Sequence, residues 1–282
     1  MGLVTLLTDF GTADYFVGSV KGVILSENPH ARIVDLTHDI PAHDIEAAAF
    51  TLLAAYKSFP KATVHIAVVD PGVGSPRRGL VVEAGDQFFV GPDNGIFSYI
   101  YEREPDFRAF ELTNPIYFRA PVSPTFHGRD VFAPVAAALA KGVQPSEFGS
   151  EITNPVRLKP LAAVIHAEKV PKARAGKSVT EVVRARIIHI DRFGNCVTNI
   201  TAAELTPKMM EAGAYLVVKG RKITSFRNFF VEHPGGRKAK PDTRAKLFCI
   251  WGSAGFLEIA ADKRSAARLL KATRRDLVVV RC

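Results

Sequence analysis

The chain has 282 residues, of which 47% are hydrophobic and 23% charged, which is typical of an ordinary globular protein of one or two domains. Lys and Arg exceed Asp and Glu by 37 − 28 = 9, a balance that permits binding to nucleic acid. No apolar stretch approaches the ~20 residues of a membrane-spanning helix. The cysteines Cys196, Cys249 and Cys282 lack the spacing of metal ligands, so we expect a reducing, cytoplasmic location.

The first half of the chain alternates strand and helix patterns. The predicted strands lie at 2–7, 32–36 and 63–69. The predicted helices between them lie at 14–25 and at 45–56, the second with Asp44 as its cap. This order is typical of a mostly parallel sheet flanked by helices. A hairpin at 79–90 and helices at 94–101 and 130–141 are predicted to follow.

The pattern changes after residue 142. Prolines at 145, 155, 160 and 171 interrupt regular structure as far as residue 178. Short strand patterns then recur at 179–190, 215–219, 246–251, 256–259 and 277–280. We therefore predict an α/β domain at 1–165 and a smaller antiparallel β domain at 178–282.

The first predicted strand runs into Leu-Thr-Asp-Phe-Gly, which places Asp9 just beyond its end. One carboxylate there can accept hydrogen bonds from both hydroxyls of a ribose. The structural alternative is a helix cap, a role that suits Asp14 better. The chain has neither a G-x-G-x-x-G nor a G-x-x-x-x-G-K-[ST] motif, so a nucleoside without a phosphate tail fits better than NAD or ATP.

The third strand breaks into Asp70-Pro-Gly-Val-Gly, and Arg77 follows seven residues later. Ligands of open α/β sheets bind at the carboxyl ends of the strands, so this pair is a candidate reaction centre. A turn-capping Asp with a solvated Arg is the structural alternative. His127, in Phe-His-Gly-Arg-Asp, is either structural or able to orient a water beside such a pair.

A fourth cluster, Asp191-Arg-Phe-Gly-Asn, follows a predicted strand of the second domain. Phe193 could stack on a purine, and the amide of Asn195 could read its edge. The alternative is a Gly turn with an aromatic residue in the core. The histidines form no metal-ligand spacing and no G-x-S-x-G elbow occurs, so neither a metal nor a cofactor is expected.

Six stretches together resemble the S-adenosyl-L-methionine (SAM) hydroxide adenosyltransferases, which are relatives of fluorinase and chlorinase. They are L-x-T-D-F-G at Asp9, V-D-P-G-V-G at Asp70, G-P-D-N-G at Asn94, F-H-G-R-D at His127, I-D-x-F-G-N at Asp191, and W-G-S-A-G-F-L-E-I-A around Ser253. The resemblance implies an N-terminal α/β domain, a C-terminal β domain and a homotrimer. It also implies active sites where the N-terminal domain of one subunit meets the C-terminal domain of a neighbour.

The resemblance implies a role for each matching residue. Asp70, Arg77 and His127 match a catalytic triad that handles water, and Asp9 would hold the ribose. Phe193 and Asn195 would contact adenine, while Asp191 and Ser253 would address the methionine end. The remaining predicted substrate-binding residues are Asp14, Asn94, Phe126, Gly128 and Glu258. Ala254 stands where the fluorinase has an Arg.

The implied reaction is hydrolysis of SAM to adenosine and L-methionine by in-line attack of an activated water on C5′. The halogenases carry a Tyr at the position of Asp70, whose fixed carboxylate would repel a halide. A halogenase and a non-catalytic SAM- or adenosine-binding protein are the alternatives. Nucleic acid is not expected as a partner, because the basic stretches at 169–177 and 235–240 are predicted loops without aromatic residues.

Overall fold

The structure, a computed structural model, describes residues 2–171, 177–230 and 247–281. It divides into two units, Met1–Pro160 and Leu161–Cys282. The first unit holds a mostly parallel sheet with helices, and the second holds an antiparallel sheet, each with its own hydrophobic core. The predicted fold class is therefore confirmed.

The sheet of the first unit has seven strands. They are β1 (Leu3–Thr8), β2 (Arg32–Thr37), β3 (Val64–Val68), β4 (Gly79–Ala84), β5 (Gln87–Pro92), β6 (Arg108–Glu111) and β7 (Glu151–Ile152). Their order is β2-β1-β3-β5-β4-β6-β7. The first four in this order are parallel, and the others pair antiparallel. The carboxyl ends of β1, β2, β3 and β5 therefore share one edge.

Four α-helices are described in this unit, and the second and fourth are rich in Ala and Leu. They are α1 (Phe16–Glu27), α2 (Ile45–Ala55), α3 (Ser98–Arg103) and α4 (Ala133–Ala140). Nearly every residue of α4 is buried, because this helix packs against α1, β1, β3 and β5. The predicted cap of α2 is confirmed, since Asp44 Oδ1 accepts a hydrogen bond from the Ala47 N–H at 3.0 Å.

Three predicted helix starts in this unit are wrong. Helix α1 begins at Phe16 with Tyr15 as its cap residue, so Asp14 does not cap it. Helix α3 begins only at Ser98, because the backbone turns at Gly95 with φ of +97°. The helix predicted at 130–141 is a π-helical turn, Gly128–Phe132, followed by α4. Pro134 lies in the first turn of α4, where its missing N–H is tolerated.

The second unit contains a sheet of nine strands. They are β8 (Val164–Pro171), β9 (Lys177–Ile190), β10 (Cys196–Thr198), β11 (Tyr215–Val218), β12 (Arg221–Ile223), β13 (Phe226–Arg227), β14 (Leu247–Trp251), β15 (Leu257–Ala261) and β16 (Leu277–Arg281). The order is β12-β11-β16-β9-β10-β15-β14-β13, with β8 also beside β9. Among the described strands, all of these pairs are antiparallel except β13 with β14.

Strand β8 lies where the prolines predict irregular structure, because its pairing with β9 overrides the local pattern. The basic stretch 169–177, predicted to be a loop, therefore begins in β8 and ends in β9. Residues 172–176 within it, and the stretch 235–240, lie outside the described residues. Helices α5 (Pro207–Glu211) and α6 (Ala266–Leu270) were not predicted, because five residues are too few for a periodic pattern. No helix in the described ranges is long and apolar enough to cross a membrane.

The two aspartates that precede helices give a test of the capping assignments. We expect Asp44→Ala to lower the free energy of unfolding by about 1 kcal/mol, because the Ala47 N–H loses its acceptor. Asp14→Ala should leave that free energy nearly unchanged, because Asp14 is exposed and is not the cap of α1. Urea titrations of both variants measure the two values. An equal loss in both would contradict the assignment.

Candidate active site

Three predicted site residues lie at the shared edge of the parallel strands. Asp9 follows β1, Asp70 follows β3 by two residues, and Asn94 follows β5 by two residues. The Asn94 Nδ2 donates to the Val69 carbonyl at 2.8 Å and thereby fastens the end of β5 to the residue before Asp70. This is the edge at which open α/β sheets bind ligands.

Arg77 joins Asp70 and His127 in one hydrogen-bonded triad. Its Nε donates to Asp70 Oδ1 at 3.0 Å, and its Nη2 donates to Asp70 Oδ2. The same Nη2 lies 2.8 Å from His127 Nδ1. The side chains of Asp70 and Arg77 are only 5% and 12% exposed, so this ion pair is largely shielded from water. The structure thus brings the three predicted catalytic residues together, although what each does stays a prediction.

The contact with Arg77 fixes the tautomer of His127. A guanidinium has only donors, so His127 Nδ1 must accept, and the proton of the neutral ring is on Nε2. Burial, and then the Arg77 charge, lower the pKa of His127 below its ordinary value of 6.5. The ring is therefore neutral at pH 7 and presents an N–H donor at Nε2.

Arg77 itself is held on all sides. Its Nη1 donates to the Arg78 carbonyl at 3.2 Å, so all three of its nitrogens donate. The guanidinium carbon lies 5.4 Å from the centre of the Phe132 ring. The next residue, Arg78, is in turn paired with the buried Asp93, with Nε 2.8 Å from Oδ2. The guanidinium fork is thus fixed before any ligand arrives.

The segment that carries His127 is anchored by charge and by aromatic packing. Asp130 is fully buried, and both of its carboxylate oxygens accept from Arg129, at 2.7 and 2.8 Å. The guanidinium of Arg129 lies over the Phe126 ring at 5.0 Å. Phe126 meets Phe10 edge-on, with ring centres 6.1 Å apart. Phe126 therefore links the His127 segment to the turn that carries Asp9.

Gly74 allows the loops around the triad to approach each other. A Cβ on Gly128 would make only an ordinary contact, 3.5 Å from Phe10 Cζ, so Gly128 is not required for this approach. Gly74 has φ of +79°, and a Cβ there would lie 2.2 Å from the Pro124 carbonyl oxygen. The loop at 70–78 and the loop at 123–130 therefore touch through a position that only glycine can occupy.

The two acidic residues of the first predicted cluster have different surroundings. Asp9 Oδ2 accepts from the backbone N–H of His43 at 2.9 Å, which orients its carboxylate at the sheet edge. Asp14 is exposed in the turn before α1. The structure therefore places Asp9 at the same sheet edge as the other strand-end residues. Its contact with a ribose stays a prediction, as does a ligand contact of Asp14.

The five site residues predicted in the second unit line one open cavity of about 1400 Å³. They are Asp191, Phe193, Asn195, Ser253 and Glu258. Both the backbone N–H and the Nδ2 of Asn195 donate to Asp191, at 2.8 and 2.9 Å. The Phe193 ring is 80% exposed at the mouth of the cavity, which excludes the alternative that it is a core residue. Its contact with adenine stays a prediction.

Glu258 forms part of the floor of this cavity. Burial, and then the charge of Asp191, raise the pKa of the Glu258 carboxyl above its ordinary value of 4.5. Its Oε1 would lie 1.9 Å from a Cβ on Gly252, so the glycine makes room for the carboxyl group. Several lining residues were not predicted, namely Phe230, Trp251, Arg192, Lys263, Arg264 and Arg268. Trp251 stands in the quoted W-G-S stretch, so that motif could have indicated it.

Comparison with known proteins follows the same division into two units. The model of the SAM hydroxide adenosyltransferase N-terminal domain matches residues 4–149, and that of the C-terminal domain matches residues 185–279. An (R)-S-adenosyl-L-methionine hydrolase of Thermus thermophilus is 36% identical over 274 residues, 95% of this chain and 94% of that protein. A fluorinase of an Actinoplanes species is 26% identical over 227 residues, 72% of this chain and 73% of that protein.

A solved structure agrees with these matches. The crystal structure of an uncharacterized conserved protein from Thermotoga maritima has a TM-score of 0.81 and 31% identity, covering 98% of this chain and 99% of that one. A charged triad at a parallel sheet edge and a ligand-sized cavity in a β unit define an enzyme of two units. The chain belongs to the SAM hydroxide adenosyltransferase family.

Gly74 gives a test of the contact between the loops at 70–78 and 123–130. We expect Gly74→Ala to lower the free energy of unfolding more than Gly142→Ala does, by about 1–3 kcal/mol, the usual effect of overpacking. Both glycines have a positive φ, but a Cβ on Gly142 would meet nothing within 4 Å. Gly142→Ala therefore controls for backbone strain. Equal losses in denaturant titrations would show that the Pro124 contact is unimportant.

Proposed function

We propose that this protein hydrolyses SAM to adenosine and L-methionine, through in-line attack of a water molecule on C5′. The observation that carries the proposal is the arrangement of Asp70 and His127 on the two sides of one guanidinium nitrogen of Arg77. The related Thermus protein is named as an (R)-SAM hydrolase, which specifies the configuration at the sulfonium. The (R) sulfonium is accordingly the first substrate to test.

The difficulty of this reaction lies with the nucleophile. The sulfonium is already a good leaving group, so no acid is needed to protonate it, and methionine departs as a neutral thioether. Water, by contrast, has a pKa of about 15.7 and supplies little hydroxide at neutral pH. The protein therefore has to orient and activate water, and neither a metal nor a cofactor is part of the proposal.

The triad supplies one acceptor and one donor for such a water. The Asp70 carboxylate accepts a hydrogen bond from the water, and the neutral His127 ring donates a hydrogen bond from its Nε2–H to the water oxygen. Arg77 holds the two partners at a fixed separation and compensates the carboxylate charge. With the water held at attack distance from C5′, one lone pair is directed at the carbon. Such preorganisation accounts for several kcal/mol of a barrier.

We assign substrate recognition to the other predicted residues. Asp9 binds the ribose hydroxyls, Phe193 and Asn195 contact adenine, and Asp191 and Ser253 hold the methionine end. Asp14, Asn94, Phe126, Gly128 and Glu258 complete the site. Asp9 and Asn94 are supported by their position beyond strand ends, and the residues of the second unit by their position around the cavity. Phe126 and Gly128 lie beside Phe10, the neighbour of Asp9, and Asp14 is assigned from the family resemblance.

We further propose that the protein acts as a homotrimer in the cytoplasm. In this arrangement the triad of one subunit and the cavity of a neighbouring subunit form one active site. The division of the predicted residues between two units supports it, as does the exposure of Phe193 at the cavity mouth. Cys196 and Cys249 are free and buried, which agrees with a reducing compartment. We propose no nucleic-acid partner.

The function is tested in oxygen-18 water without added halide, with the (R) and (S) sulfonium epimers supplied separately. We expect adenosine labelled at its 5′ oxygen and unlabelled methionine, measured by mass spectrometry. Asp70→Asn should lower kcat by about 100-fold or more, because the amide is a poor acceptor for the attacking water. Asp86→Asn is the matched control, since Asp86 is exposed in the β4–β5 turn.

Three other results would contradict the proposal. A 5′-halogenated adenosine formed only with added halide would indicate a halogenase. Binding of SAM without any adenosine would indicate a binding protein. Unlabelled adenosine would exclude direct attack of water on C5′.

The lowered pKa of His127 predicts how activity depends on pH. We expect the decline of kcat/KM on acidification to have its midpoint below pH 6.5, because protonation at Nδ1 removes the acceptor for Arg77 and places two cations in contact. His127→Asn keeps an acceptor oxygen near the position of Nδ1 but cannot titrate. Its residual activity should therefore lack this decline. A midpoint above 6.5 in the unmodified protein would contradict the lowered pKa of His127.

A further inference from the structure

We propose that His38 is a positioning residue, which holds the turn at residues 8–11 so that the Asp9 carboxylate can recognise the ribose hydroxyls of the substrate. The proposal rests on the proposed function, because it takes the ribose role of Asp9 from it. His38 itself was not singled out as a site residue, and it lies just beyond the carboxyl end of β2.

The side chain of His38 is tied directly to the end of β1. It is 4% exposed, and its Nδ1 lies 2.8 Å from Thr8 Oγ1. That hydroxyl oxygen also accepts from the Phe10 N–H at 3.2 Å. Thr8, the residue before Asp9, is thereby bonded both to the imidazole and to the residue after Asp9.

The backbone of His38 holds the same turn a second time. Its carbonyl accepts from the Gly11 N–H at 2.8 Å, and the Ile40 N–H lies 3.4 Å from the Thr8 carbonyl. Gly11 has φ of +66°, which lets the chain reverse after Asp9. Residues 8–11 are thus closed against residues 38–40 from both ends. Asp9 lies between the two attachment points.

The carboxylate of Asp9 depends on the same pair of segments. Its Oδ2 accepts from the N–H of His43, five residues after His38. His43 has φ of +65°, an uncommon conformation for a residue with a side chain. The direction of the carboxylate is therefore set by the turn after β1 and by the loop after β2, and His38 is a residue of this loop that bonds to the turn through both its side chain and its backbone.

A carboxylate lies close to the other ring nitrogen of His38, although Nε2 makes no hydrogen bond to it. Its Nε2 lies 3.1 Å from Asp35 Oδ1, and Asp35 Oδ2 lies 2.6 Å from Lys21 Nζ on α1. These contacts lower the pKa of Asp35 despite the opposing effect of burial, so its carboxylate is ionised. An ionised partner favours the tautomer with the proton on Nε2 and leaves Nδ1 as the acceptor for Thr8.

A second histidine of the same sheet, His65, makes similar hydrogen bonds but lies within a strand and not at a strand end. His65 is fully buried in the middle of the sheet, with Nδ1 2.7 Å from Thr5 Oγ1 and Nε2 3.2 Å from Gln87 Oε1. Thr5 and His65 are register partners on β1 and β3, three residues before the end of β1. Removal of His65 therefore measures the loss of a buried Thr–His pair without a change at Asp9.

The experiment measures how well each variant discriminates against a missing hydroxyl. Substrates are SAM and its 2′-deoxy analogue, and the readout is the ratio of their kcat/KM values. We expect His38→Ala to lower this ratio at least about tenfold, because misdirection of Asp9 weakens its bonds to the ribose hydroxyls and the 2′-deoxy analogue has no 2′ bond to lose. His65→Ala should reduce stability and leave the ratio unchanged. His38→Asn, whose Oδ1 can accept from Thr8, should restore most of the ratio.

The outcomes separate this inference from the proposed function. If His38→Ala slows both substrates by one common factor, the role of His38 is only structural and the proposal is overturned. The proposal also fails if the unmodified protein does not discriminate between the substrates. If the unmodified protein hydrolyses neither substrate, the hydrolase function fails instead. Calorimetric binding of adenosine and 2′-deoxyadenosine to the same variants then gives the discrimination ratio directly. If His38→Ala does not fold, Thr8→Val takes its place, because it removes the other partner of the same hydrogen bond and should also lower the ratio.

Discussion

The guanidinium of Arg77 is the group on which the arrangement of the first unit depends. Its planar fork matches the two oxygens of Asp70, while the same Nη2 reaches His127. Each partner arrives on a different element: Asp70 beyond β3, Arg77 before β4 and His127 before the π-helical turn. Because Asp70 is only 5% exposed, loss of either charge leaves the other desolvated and unpaired. The contacts that bring these loops together, such as Gly74 against Pro124, therefore also stabilise a buried ion pair.

Hydrogen-bond partners give three of the histidines of this unit, His38, His65 and His127, the same tautomer with different consequences. In His127 and His38, Nδ1 accepts, from Arg77 and from the Thr8 hydroxyl respectively. His65 repeats the threonine pairing inside the sheet, where burial lowers its pKa to about 4. A neutral imidazole in the core fixes strand register, whereas one at a strand end fixes a loop. The position along the strand, and not the chemistry of the pair, decides whether such a histidine can affect a ligand.

The sequence predicts those strands, helices and loops whose formation depends on neighbouring residues in the chain. The apolar run before Asp70-Pro-Gly gives β3 and its loop, and Asp44 ahead of an Ala-rich segment gives α2 with its cap. The π-helical turn was missed because no periodic pattern distinguishes five residues of it from the start of α4. Strand β8 was missed because its pairing with β9 is tertiary. His38 carries no motif signal, since its partner Thr8 is thirty residues away and the two meet only through the parallel pairing of β1 with β2.

The two units offer different kinds of interaction. We relate those of the first unit to the choice of nucleophile and those of the second to affinity. The charges of the triad in the first unit are buried, paired and fixed before a ligand binds. The cavity of the second unit is open and lined by aromatic side chains, Phe193, Phe230 and Trp251, which are 80%, 50% and 37% exposed. In the proposed mechanism Asp70 admits a hydrogen-bond donor and repels an anion, so we assign the choice of nucleophile to the fixed charges. Exposed aromatic rings contribute area and adapt to the shape of a flat group. We therefore expect the choice of water over halide to depend on the triad, and substitutions in the cavity lining to change affinity without changing the nucleophile.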